Sequence, residues 1–370
     1  MRILLINHEF PPIGGGAATI TRELFLRFEK AGHDIHLLTG SHPLKNPKIT
    51  SVRTGRKSHA QGSIPEFLRF IIFGIIQLRR IHRKFQPDVV IAFFTLPGGI
   101  VARFNKRIFK TPYLVSVRGG DMPGFQLGRK HEIFQWLANP FIRKVCRSSD
   151  RVHCNSKRLY DLTLQNAIDP DKIQILPNGI DCQVCSDRDN VVSERIKLLF
   201  TGRLSQQKNL ATFLKALVSL PFDYRFTIIG NGPEQKKLME FSQAHHLSIE
   251  FIDWKSREEL NRLYQEYNVF ILPSLDEGMS NSALEAVAHQ CALLASKNAC
   301  LQWEDEELLK DWVVEDYLNP EAWKKCLENI YNKLNNINKI SKVMKDFVIR
   351  NNRWDALFPK YEEMVRKCVE

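Results

Sequence analysis

Several signatures that would assign this chain to a familiar class are missing. The segment Ile64–Phe85 is rich in Ile, Leu and Phe, but its uncharged stretch, Phe70–Leu78, falls far short of the roughly 20 apolar residues that a membrane-spanning helix needs. Met1-Arg2 runs straight into Ile3-Leu4-Leu5-Ile6, which reads as a first strand without a cleavage site behind it, so no secretory leader is expected. The eight scattered cysteines (Cys146, Cys154, Cys182, Cys185, Cys291, Cys300, Cys326, Cys368) are then expected as reduced cytoplasmic thiols. Cys182-Gln183-Val184-Cys185 lacks the second pair that a four-sulfur zinc site requires, and no strand–helix context suggests redox work. A dinucleotide fingerprint is missing too. Gly14-Gly15-Gly16 are contiguous rather than spaced G-x-G-x-x-G, and Thr39, not an acid, ends the second strand. These absences weigh against a NAD-type oxidoreductase. No recognised nucleic-acid-binding motif accompanies the basic charge, so no nucleic-acid partner is expected.

What is present is an ordinary globular composition, 44% hydrophobic and 25% charged, in 370 residues. That length suits two domains of roughly 150–200 residues each. The net charge of +12 is unevenly placed. Residues 1–180 carry 28 Lys/Arg against 12 Asp/Glu, whereas residues 181–370 carry 25 against 29. The first half is therefore strongly basic, which suits anionic lipid, nucleic acid or acidic substrates, and charge alone does not choose among them.

Short apolar runs alternate with helical stretches. The expected strands are Ile3–Asn7, Ile35–Thr39, Val89–Phe93, Tyr113–Val117, Val152–Cys154 and Ile173–Leu176 in the first half. The second half offers Lys197–Thr201, Arg225–Ile229, Ile249–Ile252, Val269–Leu272 and Ala292–Ala295. Near-continuous apolar strands between helices predict parallel sheets covered on both faces. The pattern restarts at Lys197 after a polar stretch, which places a boundary near 185–195. The expected domains are 1–185 and 186–345, with a helical segment 346–370 returning to the first; Trp354, Leu357 and Phe358 are its packing candidates. Doubly wound sheets bind ligands outside the carboxyl ends of their strands, so two such domains predict a cleft between facing strand ends.

The most informative segment runs Ile271-Leu272-Pro273-Ser274-Leu275-Asp276-Glu277-Gly278-Met279-Ser280-Asn281-Ser282-Ala283-Leu284-Glu285-Ala286. A strand ends near Pro273 and a helix starts near Asn281, so the N–H groups of Met279, Ser280 and Asn281 would form an anion site at a helix N-terminus. Glu277 falls in the loop and Glu285 in the helix. As a pair of acids this spacing is common, but in this setting the segment resembles the E-x7-E signature of glycosyltransferase family 4, retaining enzymes with the GT-B fold. Other segments resemble that family in the expected order. They are the glycine-rich loop Ile13-Gly14-Gly15-Gly16, the stretch Val117-Arg118-Gly119-Gly120-Asp121, and the turn Leu176-Pro177-Asn178-Gly179-Ile180-Asp181. Gly202-Arg203-Leu204 with Lys208-Asn209, and Gly230-Asn231-Gly232-Pro233-Glu234, follow in the second half.

The resemblance implies roles. Arg203 and Lys208 straddle the turn after the first strand of the second domain, where two fixed cations suit a departing diphosphate. Glu285 is implied to hold the donor ribose hydroxyls. Glu277 is implied to sit beside the donor sugar, with the Gly278, Met279, Ser280 and Asn281 backbone and Gly230 lining the donor. Gly15 and Gly16 would let the backbone approach the phosphates. Asp121 is a candidate acceptor contact. Arg118 stands where the family has histidine; it is expected at the carboxyl end of the first sheet, gripping an anion or else paired with Asp121. Gln290 and Asp253 replace common glycines, and the sequence after Ser296 lacks the usual glycine pair.

Asp187-Arg188-Asp189 and Asp169-Pro170-Asp171 have the DxD spacing of metal-dependent transferases, but neither follows a buried strand directly, so no metal is expected. Ile64–Phe85 is read as a crossover helix packed on the sheet, with an amphipathic interfacial helix as the other reading. The chain is thus expected to be a metal-independent, retaining hexosyltransferase. It would move a sugar from a nucleotide diphosphate sugar, UDP favoured over GDP and no further cofactor, to a glycan or lipid-linked acceptor of envelope polysaccharide or lipopolysaccharide assembly. It would work in the cytoplasm or peripherally on the inner, anionic face of the plasma membrane. The alternatives are a nucleotide-sugar epimerase of the same fold and an inactive sugar-nucleotide-binding relative.

Overall fold

The computed structural model describes residues 1–43, 46–55, 63–181, 195–301, 303 and 306–370, apart from the side chains of 129, 130 and 306. It divides into two compact units. The first comprises Met1–Phe125, Arg129–Gly179 and Asp355–Glu370; the second comprises Gln126–Gly128 and Ile180–Trp354.

The first unit is built on β1 (Arg2–Asn7), β2 (Asp34–Thr39), β3 (Ile49–Ser51), β4 (Val89–Phe93), β5 (Tyr113–Val117), β6 (Arg151–Cys154) and β7 (Ile173–Ile175). All pair in parallel, in the order β3-β2-β1-β4-β5-β6-β7. Helices α1 (Gly16–Lys30), α2 (Ile64–Lys84), α3 (Ile100–Phe109), α4 (Arg129–Ser148) and α5 (Lys157–Gln165) connect them. Ile3–Ile6 and Val89–Phe93 are essentially solvent-free, because helices cover both faces of the sheet. α2 starts on a capping box, Ser63 with Glu66, and packs Phe70, Gly74, Leu78 and Ile81 inward. It is a crossover helix, and it also leaves Ile64, Leu68, Ile72 and Ile76 exposed.

The second unit repeats the plan. Its strands are β8 (Ile196–Thr201), β9 (Tyr224–Ile229), β10 (Ile249–Ile252), β11 (Val269–Leu272), β12 (Ala292–Ser296) and β13 (Val313–Val314), parallel in the order β10-β9-β8-β11-β12-β13. Its helices are α6 (Leu210–Leu217), α7 (Gln235–Ala244), α8 (Arg257–Tyr264), α9 (Asn281–Ala288), α10 (Glu306–Leu309), α11 (Pro320–Asn332) and α12 (Ile337–Asn352). Phe213, Phe226 and Trp323 meet edge-to-face in its core.

The last helix, α13 (Trp354–Arg366), returns the chain to the first unit. Phe358 meets Phe28 of α1 edge-on at 5.1 Å, and Glu362 pairs with His33 at 2.9 Å. The return begins at Asp355, so residues 346–354 belong to the second unit rather than to the returning segment. β3 and β13 were not expected from the sequence. Both are edge strands of two or three residues, too short for alternation to register. The CxxC pair and Asp187–Asp189 lie outside the described residues.

Candidate active site

At the carboxyl ends of β8 and β9 two turns interlock through backbone. Gly202 N–H donates to the Ile229 carbonyl at 3.0 Å, Leu204 N–H to Asn231 at 2.9 Å, and Glu234 N–H to Leu204 at 3.0 Å. The approach is so close that a Cβ on Gly230, where φ is +130°, would lie 2.1 Å from the Gly202 oxygen. Glycine is therefore required at Gly230 by sterics, whatever else the turn does. This turn sets the position of Arg203 and leads into the short 3-10 turn Gln206–Lys208.

Lys208 Nζ lies 2.5 Å from Glu277 Oε1, and the two side chains are only 16% and 12% exposed. The loop that carries Glu277 is held from several directions. Leu275 N–H donates to the Gln207 carbonyl at 2.8 Å, and Gln207 Nε2 to the Asp276 carbonyl at 3.0 Å. Glu277 N–H donates to Asn298 at 3.2 Å, while Asn298 Nδ2 reaches the Tyr317 hydroxyl at 2.8 Å. Ser280 then caps α9, its hydroxyl accepting Ala283 N–H at 3.3 Å, and Asn352 Nδ2 lies 3.8 Å from Met279 Sδ. The structure thus brings Lys208, Glu277 and the Gly278–Asn281 backbone together at the start of α9. The sequence after Ser296, which departs from the family pattern, contributes Asn298 as a brace for this loop.

One turn into α9, Glu285 lines an open pocket of about 250 Å³ with Ile180, Asp181, Arg257, Asn261, Ala288 and His289. Arg257 Nε is 3.6 Å from Glu285 Oε1. His289 Nδ1 lies 2.7 Å from the Glu285 carbonyl, which makes it the donor and leaves Nε2 as an acceptor. Burial lowers the His289 pKa, so the ring is neutral at pH 7. A carboxylate, a guanidinium, an amide and a neutral imidazole in one pocket can hold a hydroxylated, polar ligand. Arg257, Asn261 and His289 were missed in the sequence. Arg257 is the first helical residue inside an ordinary capping box, Ser256 with Glu259, and carries no local mark of a site.

In the first unit, Gly14 (φ +122°) could not carry a side chain, since a Cβ would meet Ala18 Cβ at 2.7 Å. A Cβ on Gly15 would meet nothing within 4 Å. Gly15 caps α1, its N–H donating to Glu9 Oε2 at 3.2 Å, and Gly16 is the first helical residue. The Glu9 carboxylate therefore already occupies one donor of this helix N-terminus.

Arg118 and Asp121 take different places from those expected. The Asp121 carboxylate is a brace: Oδ2 accepts Thr95 N–H at 2.7 Å, and Oδ1 accepts the N–H groups of Arg118 and Gly119, each at 2.9 Å. Burial pushes its pKa up, against the pull of those donors. The Arg118 guanidinium does not look outward from the strand end. Its Nη1 donates to Asn178 Oδ1 at 2.9 Å, the group lies over the Phe93 ring at 4.9 Å, and Nε and Nη2 are shut off from solvent. It shares a small buried cavity with Ser116, His153 and Tyr361 of α13. The side chain turns inward because α13 covers it and the Asp121 carboxylate is engaged by backbone. Asp169 is likewise spent, accepting Asp171 N–H at the start of a 3-10 turn.

The family model described as Glycosyltransferase Family 4 matches residues 14–184, and that described as Glycosyl transferases group 1 matches residues 186–345. The chain is 25% identical over 333 residues to the UDP-Gal:alpha-D-GlcNAc-diphosphoundecaprenol alpha-1,3-galactosyltransferase of Escherichia coli, covering 81% of each. It is 24% identical over 266 residues to an N-acetylgalactosamine-N,N'-diacetylbacillosaminyl-diphospho-undecaprenol 4-alpha-N-acetylgalactosaminyltransferase of Campylobacter jejuni, covering 71% of this chain and 67% of that one. The fold is similar to that of sucrose-phosphate synthase from Thermosynechococcus elongatus, with a TM-score of 0.84 at 16% identity over 99% of this chain and 98% of that one. Two parallel-sheet units with these neighbours are the GT-B architecture, and with family models spanning nearly all of residues 14–345 the chain belongs to glycosyltransferase family 4.

Proposed function

We propose that this glycosyltransferase uses a nucleotide diphosphate sugar, UDP-linked in preference to GDP-linked. It transfers the sugar with retention and without a metal to a lipid-linked or glycan acceptor of envelope polysaccharide or lipopolysaccharide assembly. The observation that carries this reading is Lys208, held by Glu277 at the start of α9, whose N-terminal N–H dipoles favour an anionic group; Arg203 is the second cation of the proposed site. In the reaction the bond between the sugar anomeric carbon and the diphosphate oxygen breaks, and a bond to the acceptor oxygen forms. The acceptor hydroxyl proton leaves with the diphosphate. Charge builds on the departing oxygen, and fixed cations aimed there lower the barrier more than they stabilise the bound donor. Glu285 accepts the ribose hydroxyls, with Arg257, Asn261 and His289 completing the wall of that pocket. Gly230 holds its turn close against Gly202 and so shapes the backbone beside Arg203.

The lipid-linked acceptors named for the Escherichia coli and Campylobacter jejuni relatives support a lipid-linked acceptor here. The excess of 16 positive charges in residues 1–180 supports work at an anionic membrane surface. A panel of nucleotide sugars tests the donor. UDP-sugars should raise the melting temperature most, and product NMR should show the donor's anomeric configuration in the presence of excess chelator. Inverted product, or activity lost on chelation and restored by manganese, would overturn the corresponding part of the proposal.

A further inference from the structure

The first unit leaves an unusual apolar surface uncovered. On α4 the side chains of Ile133, Trp136, Leu137 and Phe141 are 57%, 74%, 60% and 62% exposed, while Gln135, Ala138 and Ile142 face the protein. The stripe has helical spacing, but the inward face is already apolar with Ala138, Ile142 and Val145, so the exposed stripe is surplus to what the core needs. α2 repeats it with Ile64, Leu68, Ile72 and Ile76, one residue per turn, all exposed. α3 packs between α2 and α4 and adds exposed Phe104 and Ile108, so the three helices present one continuous face.

Each stripe changes character along its length. On α2 it gives way to exposed Arg79, Arg80, Arg83 and Lys84, and on α4 to exposed Lys144 and Arg147. All three helices join parallel strands, so they run in one direction, antiparallel to the sheet. The apolar halves of α2 and α4 therefore lie together at the carboxyl end of the strands, the end that also carries Gly14–Gly16, and their basic ends lie together at the other, toward which α3 carries Ile108.

We propose that this face docks on an anionic lipid bilayer, with the N-terminal half of α4, led by Trp136, entering the acyl boundary while the basic ends of α2 and α4 rest on the headgroups. The proposal rests on the membrane-surface part of the proposed function and adds its geometry. A second copy of the chain in a two-fold contact would set the arginines against arginines or against the partner's apolar half, whereas an anionic bilayer complements both halves of each stripe.

The test uses the full chain with vesicles of phosphatidylcholine containing a quarter phosphatidylglycerol, with and without brominated acyl chains. Bromine should quench part of the tryptophan fluorescence of the wild type. Trp136→Phe should keep vesicle binding and lose most of that quenching. Trp136→Ser combined with Phe141→Ser should weaken binding at least tenfold with the melting temperature unchanged, because both side chains are exposed. Quenching that survives Trp136→Phe, or binding unchanged in the double serine variant, overturns the role of α4 and leaves the membrane-surface reading standing. A wild type that binds no vesicle at low salt removes both, and transfer to a water-soluble acceptor then reports the transferase reading independently. A dimer that the serine variant converts to monomer, without vesicle binding, assigns the face to a second copy and overturns the proposal.

Discussion

Replacing Lys208 by Met keeps most of the stem and deletes the charge. The structure gives two separate consequences. Glu277 would lose a cation 2.5 Å away while only 12% exposed. Removing one partner of a buried pair costs about 3–5 kcal/mol, and residual exposure brings this to about 1–3 kcal/mol here. In a unit of this size that lowers the melting temperature by roughly 2–10 °C. The second consequence is kinetic. If Lys208 faces the departing diphosphate, kcat/KM should fall by roughly 10²–10³, or about 2.7–4 kcal/mol of transition-state stabilisation. The two effects separate in the double variant Lys208→Met with Glu277→Gln. Removing the stranded carboxylate should restore the melting temperature and leave turnover depressed, measured as nucleotide release from the donor that stabilises the wild type best. Recovery of both to within about threefold of wild type would refute the reasoning, since Lys208 would then serve only to neutralise Glu277.

Gly230→Ala should cost more than 2 kcal/mol, because its φ of +130° disfavours a side chain and the new Cβ would sit 2.1 Å from the Gly202 oxygen; a melting temperature equal to wild type would contradict this backbone contact. Arg118→Lys and Arg118→His should each lower stability by about 1–3 kcal/mol through the lost Asn178 bond and Phe93 contact. Transfer should be normal well below the melting temperature, and loss of transfer in a fully stable variant would return Arg118 to the reaction. His153 Nε2 donates to the Leu176 carbonyl at 2.8 Å, Nδ1 accepts from the Ser116 hydroxyl at 2.7 Å, and burial lowers its pKa to about 3. The unfolded chain then binds the extra proton between about pH 6.5 and pH 3, so stability should fall with acidification through that window by up to about 1.4 kcal/mol per pH unit. His153→Gln should flatten that slope in melting curves taken at pH 6.5 and pH 4.5; an unchanged slope would show that other groups govern it.

The sequence by itself determined the parts of this protein that depend on local pattern. The inner strands, such as Ile3–Ile6, Val89–Phe93 and Val269–Leu272, appear as apolar runs, because a parallel sheet between helices leaves no polar alternation to disguise them. The loop-to-helix transition at Asn281 is visible because Ser280 is a strong cap, and Gly230 is visible because only glycine fits its turn. Tertiary structure alone decided where long side chains point. Arg118 follows a strand and should open outward on local grounds, but α13 arrives from more than 200 residues downstream and roofs it with Tyr361. Arg257, Asn261 and His289 gather around Glu285 because α8 and α9 pack side by side, a neighbourhood that no spacing in the chain records. The same holds for α4. Its helical periodicity marks an apolar stripe, but only the placement of the helix on the sheet shows that Trp136 and Phe141 face away from the core.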